Sequence, residues 1–107
     1  MLDPKIMQNW VLLALLEMKM GRHDNCLQIC EKILSMDPYN ECAYELKGDL
    51  YKTNQKIDEA FIEYSKAVQI NPESSSAISS LGDIMKFKGK LSEALIHYKK
   101  ALRLNEK

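Results

Sequence analysis

Proline occurs three times in this chain, at Pro4, Pro38 and Pro72, and each time behind Asp or Asn. The intervals from 4 to 38 and from 38 to 72 are both 34 residues, and one further step reaches Glu106 behind Asn105. Proline lacks an amide donor and disfavours helix in the residue before it, so each step ends one helix and precedes another. A fixed period of this size marks a supersecondary unit repeated in tandem. One such unit is too small to bury its own apolar face, so neighbouring units stack.

Each period reads as two helices. "GRHD", "NQKID" and "GKLS" fall at one phase of the repeat, midway between the prolines, and mark a turn. Their final Asp24, Asp58 and Ser92 are expected to cap the second helix by accepting a backbone N–H. Helices are predicted over 5–20, 24–36, 41–54, 58–70, 75–88 and 92–104. Ala60, Tyr64, Ala67 and Val68 recur at i, i+4, i+7 and i+8, as do Ala94, Tyr98, Ala101 and Leu102, which is helical rather than strand spacing. Ala14, Gly48 and Gly82 share a phase in the first helices. Glycine inside a helix costs up to about 1 kcal/mol, so its repetition predicts close helix packing at that point.

Composition excludes several classes of function. Fifteen basic and 15 acidic residues among 107 give zero net charge, which supplies no pull towards nucleic acid or anionic membranes. The longest apolar run, Trp10 to Leu16, is too short to span a bilayer, and "MLDPK" lacks the basic start of a secretory signal. Three cysteines, Cys26, Cys30 and Cys42, are an odd number. They predict reduced thiols in a cytoplasmic, reducing compartment.

The spaced residues resemble the tetratricopeptide repeat. The second unit carries that family's pattern in Tyr44, Gly48, Tyr51, Ala60, Tyr64, Ala67 and Pro72. The third carries it in Leu81, Gly82, Gly89, Ala94, Tyr98 and Ala101. The first is looser: Trp10, Leu13, Ala14, Gly21 and Pro38 fit, while Cys26, Cys30 and Ile33 replace Ala, an aromatic and Ala. Lys47 stands where the family has leucine. The resemblance implies an all-α fold, a right-handed α-solenoid of about six antiparallel helices forming a single domain over residues 1–107. The expected units are 7–40, 41–74 and 75–107, with 1–6 resembling the end of a preceding repeat.

Nothing in the sequence points to catalysis. There is no phosphate-cradling glycine loop, nucleophile elbow or carboxylate pair in an apolar setting. His23, Cys26 and Cys30 share a helical face, but a soft-metal site needs a fourth ligand, and Cys42 lies on another helix. Both cysteines occupy family core positions, so they are expected to act as small hydrophobes. His97 is expected at the rim, and Met7, Met18, Met36 and Met85 in the packing. No metal or cofactor is expected. The tyrosines occupy structural positions, which argues against base stacking with nucleic acid.

The resemblance further implies a concave groove lined by the first helix of each unit, which binds a protein or peptide. Its positions here are Gln8, Val11, Leu15, Met18 and Lys19; Cys42, Glu45, Asp49, Lys52 and Thr53; and Ser76, Ser79, Asp83, Lys86 and Phe87. These predict an apolar end, an acidic strip of Glu45, Asp49 and Asp83, and a row of lysines along one edge. A peptide or helix with apolar anchors and a basic centre would suit them. One subfamily holds the acidic C-terminal tails of heat-shock chaperones through Lys, Asn and Arg side chains. Val11, Leu15, Leu46, Ser76 and Ser80 occupy those positions here, so a chaperone-tail clamp is not expected.

The ends suggest a second reading. From Ile6 to Met20, 11 of 15 residues are apolar, against 6 of 14 in each of Glu41–Asn54 and Ser75–Lys88. A helix apolar nearly all round is expected to be covered nearly all round. Trp10, Leu12 and Leu16 at one end, and Leu95, Tyr98 and Leu102 at the other, are candidate contacts for homo-oligomeric stacking. The alternative to a groove-binding scaffold is therefore a structural self-assembly module, or a piece of a longer array.

Overall fold

The computed structural model describes residues 3–105. Glu106, where the period would next place a proline, lies outside the described residues, as do 1, 2 and 107. Six helices follow in order: α1 (Pro4–Lys19), α2 (His23–Met36), α3 (Glu41–Thr53), α4 (Ile57–Ile70), α5 (Ser75–Phe87) and α6 (Leu91–Asn105). Each helix packs most extensively on its partner, α1 with α2, α3 with α4 and α5 with α6. The pairs then join through α2 with α3 and α4 with α5. This is an all-α solenoid of three helical hairpins. No described helix is long and apolar enough to cross a membrane.

The helix bounds agree with the sequence reading to within a residue or so, but the capping differs. The first helix of each pair has a side-chain cap: Asp3 accepts from the Lys5 amide, Asn40 from Ala43 and Ser74 from Ala77. The second helices begin one residue earlier than expected. Asp24, Asp58 and Ser92 therefore lie inside the first turn, and α2 and α4 have no side-chain cap. The turn geometry explains the shift. Gly21, Gln55 and Gly89 adopt positive φ of 78°, 63° and 79°. The next residue then donates back across the turn: Arg22 to the Glu17 carbonyl, Lys56 to Tyr51 and Lys90 to Met85. These paired backbone bonds close each first helix as a Schellman motif and leave little chain before the second helix starts. Asp24 and Asp58 still favour the helix start electrostatically.

Two clusters form the core. One gathers Ala14, Cys26, Cys30, Ile33, Ala43, Leu46 and Leu50, with Met7, Trp10 and Met18 packed against it. The other gathers Ala60, Tyr64, Leu81, Ile84, Met85 and Ala94, with Tyr98 beside it. The small residues at the shared phase have a direct cause. A Cβ on Gly48 would lie 2.6 Å from the Tyr64 ring, and one on Gly82 would lie 2.8 Å from Tyr98. In the first hairpin the same phase pairs Ala14 with Cys30, so the smaller partner leaves room for one more carbon.

Candidate functional site: the groove of first helices

α1, α3 and α5 carry the residues expected to line the groove. Val11, Leu15 and Met18 are half-buried and Gln8 and Lys19 exposed. Glu45, Asp49 and Lys52 are half-buried, Cys42 and Thr53 exposed. Ser79 and Asp83 are half-buried, and Ser76, Lys86 and Phe87 exposed. Val11 and Leu15 of α1 meet Cys42, Glu45, Leu46 and Asp49 of α3 around a concavity of about 220 Å³. An apolar floor and two carboxylates thus share one depression. Ser76 and Ser79 line a second depression of about 460 Å³, together with Tyr98 and Leu102 of α6.

The acidic strip is wired into the scaffold. Tyr64 donates its hydroxyl to Asp49, and Tyr98 donates to Asp83. Ser76 donates to Glu45 at 2.7 Å, bridging α5 to α3. Lys52 bridges the same helices in the other direction, with its Nζ 3.6 Å from Asp83. The lysine row is therefore broken at its centre, where Lys52 turns back into the strip. Burial raises Asp49 above the ordinary carboxylate range, although the Tyr64 hydroxyl and Lys52 pull it down. Burial raises Glu45 likewise, against the Ser76 hydrogen bond. The Tyr98 hydroxyl, held by Asp83, is pushed up to about 12, and burial together with Asp49 pushes Tyr64 up further. Uncharged tyrosines that donate to Asp49 and Asp83 hold both carboxylates in place.

The Tyr–Asp pairs were not anticipated from the sequence, although their signal is present there. Asp49 with Tyr64 and Asp83 with Tyr98 both stand 15 residues apart at one repeat phase, while the first unit has Leu15 and Cys30 at both places. The pair is kept or lost as a unit. Lys47, the departure from the family pattern, also has a partner: its Nζ lies 3.2 Å from Glu63, which is buried, and Lys66 approaches the same carboxylate at 3.4 Å. Desolvation pulls the Lys47 ammonium down, but its hydrogen bond and attraction to Glu63 outweigh this and leave it raised. The Lys66 ammonium also lies 5.6 Å from the Tyr44 ring centre.

Cys26 and Cys30 are fully buried in the first core cluster. Burial raises Cys26 and pushes Cys30 up to about 12, so neither presents a thiolate at neutral pH. Cys42 is exposed beside Glu45 and Glu41. His23 and His97 are half-buried. Among the described residues, no three His, Cys, Asp or Glu side chains converge as metal ligands would. Of the expected end contacts, Leu12, Leu16, Leu95 and Leu102 are exposed, while Trp10 packs on the first cluster and Tyr98 turns into its own hairpin.

Solved structures share the fold. The fold is similar to that of MamA, with a TM-score of 0.83 at 23% identity over 94% of this chain and 58% of that one, so the chain spans less than two thirds of MamA. It is similar to the type III secretion translocator chaperone SycD of Yersinia enterocolitica, at 0.86 and 16% identity over 99% and 73% of the two chains. It is also similar to the first TPR of Spaghetti (RPAP3) bound to HSP90 peptide SRMEEVD, at 0.85 and 24% identity over 96% and 82%. No curated protein sequence matches it. The sequence profile of the tetratricopeptide repeat matches residues 8–40, 43–74 and 76–107, nearly the whole chain. The chain belongs to the tetratricopeptide repeat family.

Proposed function

We propose that this chain is a non-catalytic protein-interaction scaffold whose groove takes a peptide with an apolar anchor next to basic residues. The observation that carries the reading is the depression between α1 and α3, where Val11, Leu15 and Leu46 form an apolar seat beside Glu45 and Asp49. A leucine-sized side chain would bury apolar area there, and an adjacent arginine would meet two carboxylates in a partly desolvated setting. The resemblance to structures that bind or chaperone other proteins supports the class of function. The reduced thiols fit an intracellular, reducing setting.

The groove is proposed not to hold acidic chaperone tails. Val11, Leu15, Leu46, Ser76 and Ser80 put no cation at the clamp positions, and Glu45 and Asp49 would repel such a tail. Fluorescence anisotropy with a labelled peptide of leucines flanking two arginines, beside labelled SRMEEVD, tests both statements. Binding of the first peptide alone, weakened at least tenfold by Asp49→Lys, is expected. Binding of SRMEEVD alone would reject the reading.

A further inference from the structure

The acidic strip already holds a cation of its own. Lys52 leaves α3 and crosses to α5, where its Nζ lies 3.6 Å from Oδ2 of Asp83. The other oxygen of Asp83 accepts from the Tyr98 hydroxyl, so both oxygens are engaged. The same ammonium lies 6.0 Å from the centre of the Tyr64 ring, whose hydroxyl donates to Asp49. Asp49, raised chiefly by burial, is pulled down by Tyr64 and by this ammonium and pushed up by Asp83. Lys52 thus stands between two carboxylates that feel each other across one repeat period. The fold does not require a lysine here, since the same position holds Met18 in the first unit and Lys86 in the third.

The hold is loose. At 3.6 Å the pair is beyond hydrogen-bond reach, and the side chains of Lys52 and Asp83 are 36% and 42% exposed. Ion pairs of that kind are screened by water and contribute little. The junction between the second and third hairpins is also tied independently of it. Ser76 donates to Glu45 at 2.7 Å, and Lys88 pairs with Asp58 at 2.9 Å. A guanidinium makes two short parallel bonds to a carboxylate, where an ammonium acts as a point charge.

We propose that Lys52 is the specificity residue of the groove, a built-in counter-ion for Asp83 that a partner's second basic side chain must displace. The proposal rests on the groove reading above, in which Glu45 and Asp49 receive the first basic side chain beside the apolar seat. With Lys52 in place, the groove selects an apolar anchor with one basic residue. A further basic residue gains little, because a new cation at Asp83 has to evict the one already there. A strongly basic segment, which an uninterrupted acidic strip would attract, is thereby disfavoured.

Fluorescence anisotropy compares two labelled peptides: leucines flanking two arginines, and the same peptide with glutamine for the second arginine. The proteins are wild type, Lys52→Met, which copies the side chain of Met18, and Lys56→Met, which removes the same charge from the exposed turn between α3 and α4. Circular dichroism confirms helix content in each. In wild type and Lys56→Met, where Lys52 already neutralises Asp83, the second arginine is expected to gain no more than about twofold. In Lys52→Met it is expected to gain about tenfold, because the vacated carboxylate can take a bidentate guanidinium. Adding Asp83→Asn to Lys52→Met is expected to return the gain to the wild-type level. An equal gain in wild type and Lys52→Met would overturn the proposal while leaving the groove reading intact, and so would a gain in Lys56→Met as large as in Lys52→Met. Failure of both peptides to bind any of these proteins would reject the groove reading and the proposal with it.

Discussion

Tyr64 holds Asp49 through its hydroxyl and excludes a side chain from residue 48 through its ring. One residue thus sets both the approach of α3 to α4 and the position of a groove carboxylate. The ring is fully buried and has nowhere to move. Gly48→Ala gains helix propensity of about 1 kcal/mol, but the overpacking against Tyr64 costs about 1–3 kcal/mol. We expect a net loss in urea melts, larger than for Gly82→Ala, because Tyr98 is only half-buried and can yield. A stabilised Gly48→Ala would mean that the ring gives way.

Asp49 makes stability depend on pH. Its folded value is raised, chiefly by burial, so the folded state binds the proton more tightly than the unfolded chain does. The stability this contributes is fully present below the unfolded value of about 4 and is lost as pH rises through the folded value. Asp49→Asn keeps an oxygen for the Tyr64 hydroxyl and removes the penalised charge. It should match or exceed wild type in stability at pH 7, with any advantage shrinking towards pH 4. An advantage that grows on acidification would contradict this sign.

Gln55 occupies the left-handed position that Gly21 and Gly89 occupy in the other two hairpins. Nothing approaches a Cβ at either glycine within 4 Å, so the preference there is conformational. Gln55→Gly should therefore stabilise the fold by about 0.5–1 kcal/mol, after allowing for the greater freedom of glycine in the unfolded chain. Gly89→Ala should lose about 1 kcal/mol or more. Thermal melts of both variants beside wild type measure the pair of effects.

The three thiols should differ in reactivity. All three are raised, Cys42 by partial burial and the neighbouring Glu45 and Glu41, but Cys42 is exposed whereas Cys26 and Cys30 are fully buried. A disulfide-exchange reagent should titrate one thiol in the native protein and three in guanidinium. Fast reaction of a second native thiol would show that the first hairpin opens readily.

Pro38, Pro72 and the 34-residue phase made the hairpins legible in the sequence, because each is local punctuation with a fixed backbone consequence. The second-helix caps were misread for an equally local reason: Gln55 adopts positive φ without being glycine, and the Schellman turns move the helix starts forward by a residue. The pairing of Lys47 with Glu63 was hidden because a charge at a family leucine position declares no partner 16 residues away. The turning of Lys52 towards Asp83 depends on the neighbouring hairpin, which repeat phase alone does not specify. The depression between α1 and α3 brings together Val11, Leu15, Glu45 and Asp49 from two units. Their shared phase could be read from the sequence, but the hydroxyls that hold the carboxylates emerged only from the packing of Tyr64, Tyr98 and Ser76.

Backbone amide shifts, followed while the leucine–arginine peptide is titrated into labelled protein, would decide the groove assignment. The proposed function predicts saturable shifts centred on Val11, Leu15, Glu45 and Asp49, abolished by Asp49→Lys. Shifts confined to the outer faces of α2, α4 and α6, or none at millimolar peptide, would contradict it.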